Sequence, residues 1–167
     1  VPKERQFVGF DAYQKVIDSG VDVVILTTPP HFRPQHIAAA VKAKKHVFCE
    51  KPMAVDGSGV RSVMESAKIA KENRTNLMSG FCWRYNYPLR GVYEQIHNGA
   101  IGDVRSAFAT YYSTPLWRKP RKEGWSDVEW QMRNWVHFDW LSGDHIVEQA
   151  CHSVDKINWA MNNETPI

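Results

Sequence analysis

The sequence predicts an α/β fold built on a parallel sheet, followed by a second unit with different patterning. Two observations carry that expectation. Short apolar runs at residues 21–26, 46–49 and 76–81 alternate with helix-period stretches. This βαβαβ order feeds right-handed crossovers and a parallel sheet. Past residues 86–100 the continuous runs give way to an alternating pattern at 104–112, as in a sheet with one wet face.

Each element has a local reason. Residues 10–19 read as a short amphipathic helix, with Tyr13, Val16 and Ile17 on one side and Gly20 as its stop. Val21-Asp22-Val23-Val24-Ile25-Leu26 does not alternate, so a strand covered on both faces is expected. Pro34 suits the first turn of the next helix, striped by Ile37, Ala40 and Val41. Residues 46–49 form the second strand. Asp56 is placed to cap a helix running through Val60, Val63, Met64, Ala67 and Ile69. Residues 76–81 form the third strand. Pro88 opens a helix through Leu89, Val92, Tyr93 and Ile96, closed by Gly99 and Gly102. A strand is expected at 104–112 and a long loop at 113–135, a length at which loops are commonly functional. Ser142-Gly143-Asp144 starts a final helix at 145–161.

Composition narrows the function classes. At 167 residues with 43% apolar content, the chain can bury a core. The formal charge of +3 and the lack of a basic repeat give no nucleic-acid signature; Arg118-Lys119-Pro120-Arg121-Lys122 reads as a solvated loop. There are seven tryptophans, and the aromatics cluster between Trp117 and Trp140, which suits a ring-stacking surface as well as a core. Cys49, Cys82 and Cys151 form no disulfide or metal-knuckle spacing, which favours a reducing compartment. No apolar run is long enough to span a membrane.

Three constellations carry chemistry. Glu50-Lys51-Pro52 follows a strand, and the carboxyl ends of parallel strands are where open α/β sheets bind ligands. Proline pushes Lys51 toward an extended backbone, and lysine is a compact donor for a substrate oxygen; an ordinary surface pair is the alternative. In the last helix, His145, Glu148, His152 and Lys156 recur at i, i+3 and i+4 on one stripe. A carboxylate one turn from a histidine can orient the ring for general-base work. A solvated polar face or a metal site remain open there, although the spacing is not His-Glu-x-x-His. Thr27-Thr28-Pro29-Pro30-His31 with His36 ends a strand in small, rigid residues beside which a flat ligand can lie.

Together these motifs resemble the Gfo/Idh/MocA family of nicotinamide-dependent oxidoreductases, over nearly the whole chain from Phe7 to Trp159. His46-Val47-Phe48-Cys49-Glu50-Lys51-Pro52 is similar to the family's most diagnostic motif. Gly80-Phe81-Cys82-Trp83-Arg84-Tyr85-Asn86 looks like the strand leaving the nucleotide domain, and Gly99-Ala100-Ile101-Gly102-Asp103-Val104 like the entry to the second. Glu148-Gln149-Ala150-Cys151-His152 fits the acid-x-x-x-His helix, with glutamate where aspartate is more usual.

The resemblance implies the C-terminal half of a Rossmann-type parallel sheet at 1–86, then the start of an α+β substrate and oligomerisation domain at 87–167. It implies NAD or NADP as cofactor, no metal, and a sugar, polyol or related carbohydrate oxidised at a secondary alcohol. Lys51, Glu148 and His152 would be catalytic. Thr27, Thr28, Pro29, Pro30, His31, His36, Glu50, Lys51, Pro52 and Arg84 would line the cofactor. Arg133, Trp135, Trp140 and His145 would meet substrate. Redox-neutral glycoside hydrolases or lyases of the same fold, and non-catalytic binding members, are the alternatives. A homo-oligomer and a cytoplasmic location are expected, with no nucleic-acid or membrane partner; export stays open.

Two departures stand out. Lys44 occupies a position where the family has glycine, at a cost of about 1 kcal/mol if its backbone is left-handed. No G-x-G-x-x-G occurs, so the chain is expected to be an internal piece of a protein roughly twice as long, the phosphate-binding strands lying before Val1.

Overall fold

A computed structural model of the chain describes residues 1–164; the last three positions of the expected second unit, 165–167, lie outside the described residues. Three strands, β1 (Val23–Leu26), β2 (His46–Cys49) and β3 (Leu77–Ser79), form one parallel sheet in the order β1-β2-β3. Val24 pairs with Val47 and Leu26 with Cys49, while Val47 and Cys49 meet Leu77 and Ser79. Helix α1 (Ala12–Asp18) precedes β1, and helices α2 (Arg33–Lys42) and α3 (Gly57–Glu72) supply the two crossovers. Their apolar residues Ile17, Ile37, Ala40, Val41 and Ala70 share one core with Val24, Leu26, Val47 and Cys49. Cys49 is fully buried, and burial pushes its thiol up to about 11.

The expectation of a first strand covered on both faces is corrected. Val24 and Leu26 are buried, but Val23 is 54% and Ile25 67% exposed. Strand side chains alternate, and the helices sharing this core all meet the face that carries Val24 and Leu26.

Caps and turns follow local chemistry. The Asp56 carboxylate accepts from the Gly59 amide at 2.7 Å, as its position at the start of α3 predicts. Helices α2 and α3 end alike. Lys44 and Arg74 take left-handed backbones, at φ 57° and 56°. The amides just after them, Lys45 and Thr75, reach back to Ala40 and Ala70.

The second region departs more from expectation. Helix α4 (Tyr87–His97) is capped by Asn86. The strand expected at 104–112 is not formed; no ladder partner faces it among the described residues, and an unpaired segment cannot satisfy strand geometry. The long loop at 113–135 contains α5 (Asp127–Arg133), whose amino end is capped by the Ser126 hydroxyl accepting from Glu129 N. Helix α6 (Asp139–Ser142) stops at Gly143, whose φ is 76°. There a Cβ would come within 2.7 Å of Val147. The final helix begins with a π-turn at Ile146–Ala150 and continues as α7 (Cys151–Ala160).

Candidate active site

The site forms where the carboxyl end of β2 meets the π-turn. Lys51, in a cis peptide with Pro52, donates from Nζ to Glu148 Oε1 at 2.8 Å and to the Glu148 carbonyl. A π-turn shifts the i→i+4 ladder, and here the carbonyl and carboxylate of one residue both face the ammonium. The pair is nearly dry, with the two side chains 13% and 8% exposed. Burial raises the Glu148 carboxyl above its ordinary range, opposed by its hydrogen bond and ion pair with Lys51.

His152 lies one turn further along α7. Its ring stacks on Tyr111 at 5.9 Å and meets the edges of Phe81 and Trp83 at 6.2 and 6.5 Å. Burial lowers its pKa below the ordinary imidazole value, and the Lys51 and Lys156 charges add to that. The ring is therefore neutral over a wider pH range than free histidine. Both His152 Nδ1 and Glu148 Oε2 are buried without a hydrogen-bond partner. Such orphaned atoms are expensive in a packed interior unless something else meets them.

One expected relation is corrected. The helical stripe predicts Glu148 orienting His152, yet no hydrogen bond joins them, and Glu148 is engaged by Lys51 instead. His145 is exposed, lies 6.2 Å from the Tyr111 ring that also stacks on His152, and borders a cavity of about 510 Å³ with Glu148, His137, Asp139 and Asp144. Lys156 extends over Trp83 at 4.5 Å.

The expected cofactor residues divide. Thr27, Thr28 and Pro29, with His36, border an apolar cavity of about 280 Å³ that Tyr13, Phe32 and Ile25 also line. His36 stacks on Tyr13 at 4.3 Å, its Nδ1 3.4 Å from the Thr28 hydroxyl. Pro30 is fully buried. Glu50 packs against Gly80, where a Cβ would meet its carboxyl group at 3.0 Å; the third strand thus ends in glycine so that the second strand's acid can lie beside it. His31 sits edge-on to Trp140, 5.2 Å away, which joins one expected cofactor residue to one expected substrate residue. Trp140 also donates to Gln131. Trp135 begins a short 3₁₀ turn, half-buried. Arg133 is bound to Glu129 and lies 4.5 Å from the Trp125 ring. Arg84 is bound to Asp155 rather than open toward a ligand.

Several contributors escaped the sequence reading. Arg33, 4% exposed, donates to the carbonyls of Thr28 and Pro52 and so ties the ends of β1 and β2 together. Nothing in its helical position marks it. Tyr111, Phe81 and Trp83 surround His152, and only their aromaticity hinted at a wall. Helix α5 did carry a signal, since Ser126-Asp127-Val128-Glu129 fits a capping box.

A family model described as an oxidoreductase family with an NAD-binding Rossmann fold matches residues 1–81. The chain is 28% identical over 154 residues to an inositol 2-dehydrogenase/D-chiro-inositol 3-dehydrogenase of Lactiplantibacillus plantarum, covering 92% of this chain and 38% of that protein. It is 25% identical over 156 residues to a 2,7-anhydro-N-acetylneuraminate hydratase of Escherichia coli K12, covering 93% and 38%. The crystal structure of myo-inositol 2-dehydrogenase from Lactobacillus plantarum superposes with a TM-score of 0.65 at 28% identity, covering 89% of this chain and 40% of that one. The chain thus spans about two-fifths of the length of these relatives.

Proposed function

We propose that the chain, whose residues 1–81 match the model of the Gfo/Idh/MocA family of oxidoreductases, forms part of an NAD(P)-dependent oxidoreductase of a sugar or polyol. The observation that carries this reading is the Lys51–Glu148 pair at 2.8 Å, with His152 one turn away.

The nicotinamide end of a dinucleotide fits these residues. Thr27, Thr28 and Pro29 follow β1 beside an apolar cavity, and Glu50 and Lys51 follow β2. Ligands of open parallel sheets bind at such strand ends. The sequence contains no glycine-rich phosphate loop, so the diphosphate is not held by these residues. When bound, nicotinamide supplies the hydride acceptor.

The chain's own groups handle the oxygen and its proton. The Lys51 ammonium donates toward the substrate oxygen and polarises it. Glu148 holds that ammonium in place through its carboxylate and its carbonyl. His152, neutral and walled by Tyr111, Phe81 and Trp83, would take the hydroxyl proton as general base. The cavity beside His145 and Glu148 receives the remaining hydroxyl groups. Residues 1–86 form the nucleotide half and residues from 87 onward the substrate half of this arrangement.

Initial rates of the intact protein with NAD and NADP, over inositols and simple sugars, test the reading. Turnover reduced to a small residual rate in both Lys51→Ala and His152→Ala is the expected result; turnover left unchanged by both substitutions overturns it. A redox-neutral reaction is the second reading, favoured by the likeness to a hydratase. It gives product without accumulating NADH, whereas a dehydrogenase accumulates one NADH per product.

A further inference from the structure

A heavily bonded side-chain cluster outside the site joins the turn after β3 to the middle and far end of α7. Arg84, in the 3₁₀ turn Cys82–Tyr85, donates from Nε to both Asp155 carboxylate oxygens at 3.0 Å. Its Nη2 reaches Oδ1 at 2.8 Å, and its Nη1 reaches the Asn163 side-chain oxygen at 2.8 Å. The guanidinium also lies 5.3 Å from the centroid of Trp159, which stacks flat on Tyr93 at 3.9 Å. Tyr93 in turn donates to the Lys156 carbonyl. The ion pair is mostly buried, at 26% and 13% exposure, where a fork-to-carboxylate pair is stronger and more directional than on a surface.

This cluster frames His152. Asp155 follows it by three residues, one helical turn. Glu148, tied to Lys51, precedes it by four. Trp83, next to Arg84 on the same turn, presents its edge to the His152 ring. No hydrogen bond fixes the ring through Nδ1, so its position follows the position of the helix that carries it. The sequence resemblance implied a cofactor contact for Arg84, but its donors are already committed to this cluster.

Resting on the oxidoreductase reading above, we infer that the Arg84–Asp155 pair is a positioning clamp for His152. Lys51–Glu148 holds the start of the helix against β2, and Arg84–Asp155 holds the next turn against the segment leaving β3. The histidine is carried between two charge-assisted ties, both anchored on the sheet side. Small displacements of a reacting group are costly, about 100-fold for an ångström, which is the scale a released helix turn would produce.

The test uses the intact protein with Arg84→Ala, Arg84→Lys, Asp155→Asn, His152→Ala and the double variant Arg84→Ala/His152→Ala. Arg84→Ala is expected to lower kcat about 10- to 100-fold while the nucleotide KM stays within about twofold. Arg84→Lys, which keeps charge but loses the fork, is expected to fall between. In the His152→Ala background the same arginine change is expected to cost no more than about twofold, because the group it positions is gone. Equal losses in both backgrounds overturn the clamp, as does a raised nucleotide KM at unchanged kcat. If Arg84→Ala does not fold, Asp155→Asn carries the same comparison. A parallel NMR measurement needs no turnover. Loss of the clamp is expected to move the His152 ring signals, which sense the currents of Tyr111 and Trp83, and to leave those of His36 in place. An unmoved His152 signal overturns the clamp even if the protein proves to have no dehydrogenase activity, and absence of turnover in the wild type with a moved signal counts against the oxidoreductase reading alone.

Discussion

Lys51 and Glu148 show why a buried ion pair must be judged by what remains when half of it is removed. Deleting Lys51 leaves a carboxylate with both oxygens unpartnered in a dry site, which costs about 3–5 kcal/mol. We therefore expect Lys51→Ala to lower stability by about 3 kcal/mol in urea unfolding at neutral pH, and Lys51→Met/Glu148→Gln to recover most of it. An uncoupled pair, with additive losses, is the contrary result. His152 gives a pH prediction. Its pKa in the fold lies below the ordinary 6.5, so the unfolded chain binds that proton more readily. Its stabilising contribution is complete above 6.5 and is lost as pH falls through the folded value. A base must also be deprotonated to act, so the acid limb of kcat/KM is expected to fall below the ordinary imidazole range. A limb above that range in the pH–rate profile would contradict the assignment. At this scale Lys51, Glu148 and His152 were legible in the sequence as motif residues. Their connectivity was not, because the π-turn that hands Glu148 to Lys51 leaves no periodic mark.

Among the elements, the sheet and its crossover helices were the readable part. Each strand is short, apolar and bounded by polar or rigid residues, so local pattern and tertiary role agree. The segment at 104–112 alternates as a strand would, yet alternation specifies a face and not a partner, and no partner strand adjoins it among the described residues. Helix ends supply a further prediction. Lys44 and Arg74 hold left-handed backbones in closely similar turns. A side chain there costs about 1 kcal/mol, partly offset by the extra freedom glycine brings to the unfolded chain. Lys44→Gly and Arg74→Gly are each expected to stabilise by roughly 0.5 kcal/mol, additively, by chemical denaturation. Destabilisation by either would mean that the side chain's own packing outweighs the backbone strain.

At the scale of the whole molecule, Thr27 to Pro29 after β1 and Glu50 and Lys51 after β2 lie at the carboxyl end of one parallel sheet, but the sequence carries no glycine-rich loop for a diphosphate. Most dinucleotide affinity rests on that loop and its helix dipole. The 167-residue chain by itself is therefore expected to bind NADH more weakly than micromolar, and calorimetric titration at micromolar concentrations should show no saturable heat. No helix among the described residues is long and apolar enough to cross a membrane. The open sheet face, with Val23 and Ile25 exposed, was hidden from the sequence because a continuous apolar run reads the same whether one face is covered or two.

Cys49 turns the sheet into its own clock. Its sulfur is sealed in the core with a pKa pushed up to about 11, whereas Cys82 lies exposed. A thiol reagent attacks thiolate it can reach, so Cys82 should label at once. Cys49 should label only during excursions in which β2 parts from its neighbours. The slowest phase of a thiol titration, after those of exposed Cys82 and half-buried Cys151, would then time the opening of the strand whose next two residues are Glu50 and Lys51.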